Sequence, residues 1–482
     1  PLALYLLTFV IVFQRRPLIP HALAVDIQPL FIIALVAVMI FDPVKSIAGV
    51  LAVHCTVFFV NALVCHGELA RRRPAARHLT VFYLWMATGG MIGGISAGLF
   101  APHLFNWVAE YPILIVLAAL CRPGLALPSD RHGRYLLFGA LAVTALTMVA
   151  FTSFDPDFDA TTFDWIVGAF LVAAVLFWGA PLPFAATVAV VLWINHSYAD
   201  VKGATSVRSF FGVHKIAESA DGRFRVLSHG TTLHGAERIR DASGKAITGR
   251  PDILMYYYDG SAMAQVMDVV RARVMGPIRY AVIGLGAGSL VCRAQPADTV
   301  HFYEIDPAIV YTARDSGLFH FLSACRPDVP IVLGDARLTL ADAPDGAYDI
   351  IYVDAFSSDA IPIHLITREA MAVYLAKLAP HGIVVIHVSN RYLELASVVG
   401  GIAAANGALA RVNDGSDFAE NEAEYLYVGT VVAAARQDED FGALARSEYW
   451  ALQQPDPKQW VWTDDYSNIV GAVIRQLRSE EP

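Results

Sequence analysis

Between Ile283 and Leu290 the chain reads IGLGAGSL. Gly284, Gly286 and Gly288 at alternate positions permit a tight turn and a close approach of backbone to a ligand. A helix opening there would face the ligand with its N–H groups. Glu304 closes the apolar run of "TVHFYEIDP", about twenty residues beyond Gly284, where an acid can take both hydroxyls of a ribose. Asp335, with Ala336 beside it in "GDAR", can accept a hydrogen bond from an adenine amino group. Asp354 opens "DAFSSDAIP", which also holds Asp359, and stands over the centre of such a site. Taken singly, each acid has a plainer use as a helix N-cap, and Asp306 before Pro307 and Asp335 before a helical stretch suit it. Ligand-type residues on four successive strand ends favour the joint reading, a site for a nucleotide-type ligand.

The elements that must position these residues are legible around them. Strand candidates are 279–284, 299–304, 330–334, 348–354 and 382–389, with helical stretches between, such as 367–379. Apolar strands alternating with helices predict a doubly wound parallel sheet, which binds ligands at the carboxyl ends of its strands. Upstream, Ser206 to about Tyr258 alternates and is rich in turns, which predicts a small antiparallel β unit. The expected division is a helical bundle over 1–200, the β unit over 201–260 and a Rossmann-like α/β domain over 261–482.

Residues 1–200 differ in kind. The 482-residue chain is 56% hydrophobic and only 16% charged, and the apolar excess precedes about residue 200. A membrane-spanning helix needs about 20 apolar residues. Candidates are 27–41, 46–65, 79–102, 135–154 and 164–179, with shorter pieces at 2–13, 111–121 and 183–194. The expectation is a multi-pass bundle in a lipid bilayer, with about seven or eight spans or half-spans. The first run has no basic n-region and reads as a truncated span rather than a signal peptide. The loop 66–78 carries four arginines and 155–164 is purely acidic, which puts the basic loops in the cytoplasm. Five later spans would leave the C-terminal domain outside, where nucleotide cofactors are scarce. One short segment, 111–121 or 183–194, is therefore expected to be re-entrant, and the C-terminal domain cytoplasmic at a bacterial inner membrane.

Gly90, Gly94 and Gly98 recur at every fourth position, as do Gly89 and Gly93, and predict tight helix packing or a substrate passage. His54, His66, Glu68 and Glu110 lie in or beside spans, where ionisable groups are functional candidates or interfacial residues. The net charge of −9 speaks against nucleic acid as a partner. Cys55, Cys65, Cys121, Cys292 and Cys325 have no CxxC spacing and are expected to be reduced, with neither a metal site nor a disulfide framework.

From about 206 to 470 the chain resembles S-adenosylmethionine-type Rossmann domains and, more narrowly, the spermidine synthase (polyamine aminopropyltransferase) family. The resemblance rests on the β unit, the glycine turn, "EIDP", "GDA", "YDIIYVDAFSSD" and a late "WTDDYSN" (462–468). With its spans, the chain is similar to the bacterial branch that fuses such a domain to a membrane bundle. The resemblance implies a small-molecule substrate, S-adenosylmethionine or its decarboxylated form, no metal, and a protein that can be oligomeric. It implies that Glu304 holds the ribose, Asp335 faces the adenine and Asp354 supports catalysis. Gly284, Gly286, Ala287, Gly288 and Ala336 would line the ligand. Asp359 matches the second acid of the catalytic loop, displaced by two extra residues.

Two departures bear on the substrate. The family's glycine turn carries an aspartate that pairs with the ammonium of the decarboxylated ligand, and here Ala287 stands at or near it. The family's acidic amine-seating segment is replaced by "HGTTLHGAE" and "PDILMYYYDGS". A buried dication without counter-charges would cost several kcal/mol. Ala287 is expected to leave room for the α-carboxylate of intact S-adenosylmethionine, seated on backbone N–H groups of the turn. The carboxylate could then close on its own γ-carbon, giving methylthioadenosine and homoserine lactone. Asp354 would hold the α-ammonium or stabilise the sulfonium. Tyr256, Tyr257 and Tyr258 could offer a π-face to the cation, or form a packed β edge. The alternatives are an aminopropyltransferase, a methyltransferase, and a non-catalytic adenosyl-ligand sensor or transporter.

Overall fold

The computed structural model describes residues 1–125 and 159–479, apart from 15, 42, 45, 202–203, 231, 357–361 and 419, together with scattered positions between 131 and 149. The chain divides into two compact units, Pro1–Ala204 and Thr205–Pro482.

The first unit is helical. Its described helices include α1 (Leu2–Phe13), α2 (His21–Phe41), α3 (Ile47–Arg71), α4 (Leu79–Ile95), α5 (Glu110–Leu120), α6 (Ala160–Leu176) and α7 (Pro181–Val201). α4 runs on through Ser96–Phe100 to Leu104. Among the described residues three stretches are long and apolar enough to cross a membrane: His21–Phe41, Ala48–Arg71 and Ala76–Leu104, of 21, 24 and 29 residues. Such helices satisfy their backbone internally and can turn apolar side chains outward. Leu84, Trp85 and Leu99 accordingly lie exposed on the third. Most of the candidate span 135–154 lies outside the described residues. Ile32, Leu35 and Val36 of α2 pack with Val167 of α6 and with Val188, Val191 and Ile194 of α7.

Several polar groups of this unit have partners within it. His66 meets Thr8 at 3.0 Å, Glu68 meets His21 at 2.7 Å, and His54 meets Tyr111. The expected tight packing on the glycines of α4 is not found among the described residues. Nothing described lies within 4 Å of where a Cβ would sit on Gly89, Gly90, Gly93, Gly94 or Gly98.

The second unit opens with β1 (Thr205–Ser209), β2 (Gly212–Glu218), β3 (Phe224–His229) and β4 (Thr232–Arg238), an antiparallel sheet in sequence order. The period of two splits its faces. Ile216 and Leu227 join the main core, while Phe224, Val226 and Ala236 pack against Leu254 and Met255.

Next come α8 (Ala262–Val274), β5 (Arg279–Ile283), β6 (Thr299–Glu304), α9 (Pro307–Arg314), α10 (Phe321–Cys325), β7 (Ile331–Leu333), α11 (Ala336–Ala341) and β8 (Tyr348–Val353). α12 (Arg368–Lys377), β9 (Leu378–His387), α13 (Ala396–Ala405), β10 (Leu409–Asn413), β11 (Val431–Ala435), β12 (Ala451–Leu452) and α14 (Ile469–Ser479) complete it. The sheet order is β12-β10-β11-β9-β8-β5-β6-β7. β5 to β9 pair in parallel, and β10 and β11 add an antiparallel edge. Both faces are covered. Tyr280, Val282, Ile350 and Tyr352 enter one core; Ala281, Ile283, Ile351 and Val353 enter the other. The chain winds outward from β5 to β7 and returns to β8, so a crevice opens between the carboxyl ends of β5 and β8.

One expectation about the cysteines is corrected. Cys292 and Cys325 form a disulfide, with Cα atoms 5.1 Å apart. They lie 33 residues apart in sequence and meet because the turn after β5 and helix α10 pack together. Spacing alone carries no trace of that approach. Cys55, Cys65 and Cys121 are free.

Candidate active site

A cavity of about 290 Å³ lies at the carboxyl ends of β5, β6 and β8. Gly284, Gly286, Ala287, Glu304, Asp335, Ala336 and Asp354 all line it, so the structure gathers most of the sequence-derived site residues around one space. Gly288 sits at the back of the turn, where a Cβ would meet Leu322 at 2.8 Å. Asp359 lies outside the described residues. Among the described residues no group of three or more His, Cys, Asp and Glu is arranged to hold a metal ion.

The glycine turn is shaped by close approach. Gly284 and Gly286 have φ of +95° and +53°, where a side chain is strained. A Cβ on Gly284 would strike the carbonyl oxygen of Asp354, and one on Gly286 would come 2.7 Å from that of His234. No α-helix follows the turn. Ser289–Arg293 is a single 3₁₀ stretch, so the expected seat at a helix N-terminus is missing. Three amides of the turn are already donated: Gly284 to Tyr303, Leu285 to Glu304 and Gly288 to Leu285.

Ala287 lines the cavity and also packs between the two sheets. It is buried, and a Cβ on Gly235 would sit 2.5 Å from its Cβ. The contact leaves no room for a side chain at Gly235 of β4. The small side chain fits the packing of the two sheets, whatever room it also leaves for a ligand.

Glu304 is buried and braces the turn it faces. Its carboxylate accepts from the amides of Leu285 and Asp306, at 2.8 and 2.9 Å. Burial pushes its pKa up, against those two bonds. A carboxylate has about four acceptor sites, so capacity for a ribose remains. Asp306 caps α9 through the Ala308 amide at 2.9 Å. It also receives Ser209 Oγ at 2.6 Å and His214 Nε2 at 3.0 Å, which fastens β1 and β2 to the sheet domain. Asp335 caps α11 through the Arg337 amide at 2.9 Å, and its other oxygen lies 3.4 Å from His364. Of the WTDDYSN motif, Trp462 is buried, and Asp464 accepts the Arg337 guanidinium at 2.6 Å and Thr367 at 2.9 Å. That motif ties α11 to α12.

Asp354 is largely buried and heavily bonded. His387 Nδ1 lies 2.9 Å from Oδ1, while Tyr256 Oη at 2.8 Å and Tyr257 Oη donate to Oδ2. Burial alone would push the carboxyl up. The charge of His387, its hydrogen bond and those of the two tyrosines outweigh it and hold the pKa below the ordinary value. Both phenols are pushed well up, by burial first and then by the Asp354 charge, and stay protonated. The three tyrosines form a turn, not a β edge, and Tyr258 points away to Phe418 at 5.9 Å.

The small sheet supplies a second wall that the sequence reading passed over. His214, His229 and His234, from β2, β3 and β4, all line the cavity. His387 was also missed, although a histidine ending the apolar run "GIVVIH" is a visible anomaly. No local signal marks the other three, because alternation shows that they share one face of the sheet but not what that face meets.

No family model matches the chain. A curated polyamine aminopropyltransferase from Vibrio vulnificus is 32% identical over 114 residues, which cover 23% of this chain and 37% of that protein. The chain thus spans little more than a third of that relative. A probable spermidine synthase from Corynebacterium glutamicum is a similar solved structure, with 14% identity and a TM-score of 0.40, covering 55% of this chain and 98% of its own. Spermidine synthase from Thermotoga maritima gives 15% identity and a TM-score of 0.33 over 56% of this chain and 83% of its own. Over its matched segment the chain is homologous to the spermidine synthase family.

Proposed function

We propose that the chain binds S-adenosylmethionine at the strand ends and cleaves its Cγ–S bond, releasing 5′-methylthioadenosine with homoserine lactone as the second product. The observation that carries this is the state of Asp354. Among the described lining residues it is the one acid on the tyrosine side of the turn, and its oxygens already serve His387, Tyr256 and Tyr257. Among the described residues, a diamine entering with two charges would find no second carboxylate there, at a cost of several kcal/mol.

Glu304 takes the ribose hydroxyls, Asp335 and Ala336 flank the adenine, and the turn from Gly284 to Gly288 underlies the sulfonium tail. Asp354 and Asp359 are the acids of the catalytic loop, with Asp354 holding the α-ammonium. One oxygen of the substrate's own carboxylate attacks Cγ. The Cγ–S bond breaks and its electron pair passes to sulfur, which leaves as a neutral thioether. The ammonium keeps its charge, so no base is needed. The enzyme's part is to hold the carboxylate and sulfonium in line.

The apolar helices support a multi-pass protein of a bacterial inner membrane. The cofactor and the arginines of 66–78 favour a cytoplasmic C-terminal domain. The Cys292–Cys325 disulfide pulls the other way, since disulfides are rare in the cytosol.

The test is chromatography of purified full-length protein with S-adenosylmethionine alone. Methylthioadenosine without any acceptor is the expected product. If it forms only with the decarboxylated substrate and a diamine, the chain is an aminopropyltransferase, the reading that the name of the Vibrio relative favours. S-adenosylhomocysteine would instead mean methyl transfer.

A further inference from the structure

We propose that His234 is a specificity-determining residue that reads the α-carboxylate of the ligand, so that the site selects an amino-acid-bearing sulfonium over its decarboxylated form. The inference rests on the adenosyl-ligand reading above and names the group that recognises the end of the tail.

Of the turn's amides, those of Gly286 and Ala287 remain for that task. Gly284, Leu285 and Gly288 spend their amides on Tyr303, Glu304 and Leu285, and the 3₁₀ stretch after them gives no helix N-terminus. The wall opposite is equipped too. His234 lies on β4 directly across the turn: its carbonyl faces Gly286, and the next residue, Gly235, packs on Ala287. Its ring lines the cavity, and among the described residues its Nε2 is buried without a hydrogen-bond partner. Buried polar atoms without partners are uncommon and point to a missing group.

The electrostatics agree. Burial pushes the His234 pKa down to about 4; the Asp354 charge opposes this, while His229, His214 and His387 add to it. An empty site therefore holds a neutral imidazole, which can donate from Nε2 to a carboxylate. With Asp354 on one side and His234 on the other, the cavity offers an acceptor for an ammonium and a donor for a carboxylate. An amino-acid tail presents that pair. Holding one carboxylate oxygen leaves the other free to reach Cγ.

The experiment is calorimetry on detergent-solubilised full-length protein with three probes: S-adenosylmethionine, its decarboxylated form, and methylthioadenosine, which has no tail. His234→Leu should weaken S-adenosylmethionine about 10- to 100-fold while leaving the other two within about twofold. His234→Gln, which keeps an N–H donor, should recover most of the preference. If the wild type binds none of the probes, the adenosyl reading itself is wrong. If it binds all three and His234→Leu leaves the ratio of the first two unchanged, His234 does not read the carboxylate. Should the leucine variant also lose methylthioadenosine, the wild type decides through proton uptake. A carboxylate beside His234 raises its pKa from about 4, so at about pH 5 S-adenosylmethionine should take up more protons than the decarboxylated form when heats are compared in two buffers. Equal uptake would overturn the proposal.

Discussion

Glu304 does two jobs with one carboxylate, since it braces the glycine turn and faces the space where a ribose would lie. Glu304→Ala should weaken methylthioadenosine at least about 10-fold, because hydrogen bonds to a charged group are worth about 1.5–3 kcal/mol each. Calorimetry showing unchanged affinity would remove Glu304 from the ribose. His387 acts on Asp354 rather than on a ligand. The Asp354 pKa is held below its ordinary value, so its ionised form persists to low pH and is lost only as pH falls through that depressed value. His387→Ala removes the charge and one hydrogen bond that hold it there. The acid limb of the pH–rate profile for methylthioadenosine release should then move to higher pH. A profile that only scales down, without moving, would make His387 a packing residue.

Asp306 and Ala287 matter for how the two sheets of the second unit meet. Asp306 caps α9 and accepts from Ser209 and His214. Burial pushes its pKa up, but the bonds from His214, Ser209 and Ala308 win and the carboxyl is held low. The stability it contributes is therefore full above the ordinary carboxyl pKa and fades as pH falls through the lower folded value. Asp306→Ala should cost about 1 kcal/mol for the cap, and about 1–3 kcal/mol more for leaving His214 unpaired. Asp306→Asn, which can still cap, should cost less, and thermal unfolding near neutral pH ranks the two. Ala287→Asp puts a carboxylate at a buried position beside Gly235 of β4, so its first effect should be a lower melting temperature. If it folds as well as wild type and merely exchanges one substrate for the other, the packing reading of Ala287 fails.

The chain joins a helical unit, in which three described stretches could cross a bilayer, to a unit with a cavity at its strand ends. Its topology is where two physical arguments compete. The basic loop 66–78 and an adenosyl ligand favour the cytoplasm, and the Cys292–Cys325 disulfide favours an oxidising compartment. We expect a reporter on the C-terminus to be active in the cytoplasm and both cysteines to be alkylated in intact cells, the disulfide closing only after lysis. A reporter active only in the periplasm, with the pair protected from alkylation, would reverse the orientation and require an external source of ligand.

Much of the second unit is readable because its signals are local. Period-two alternation marked the small sheet, apolar runs marked β5, β6 and β8, and punctuation by glycine and aspartate marked their carboxyl ends. Since a parallel sheet gathers those ends along one edge, the sequence alone places Gly284, Glu304, Asp335 and Asp354 near one another, and all four line the cavity. The antiparallel edge of β10 and β11 was not foreseen. The rest depends on approach between segments remote in sequence. His387 reaches Asp354 because β9 lies beside β8, Tyr256 and Tyr257 reach it from a turn outside the sheet, and His234 faces Gly286 because the small sheet closes over the cavity. Cys292 finds Cys325 in the same way. Residue types and spacings along the chain determined where a ligand could bind; only the packing of one sheet on the other decided that Ala287 meets a glycine and that the wall above it is histidine.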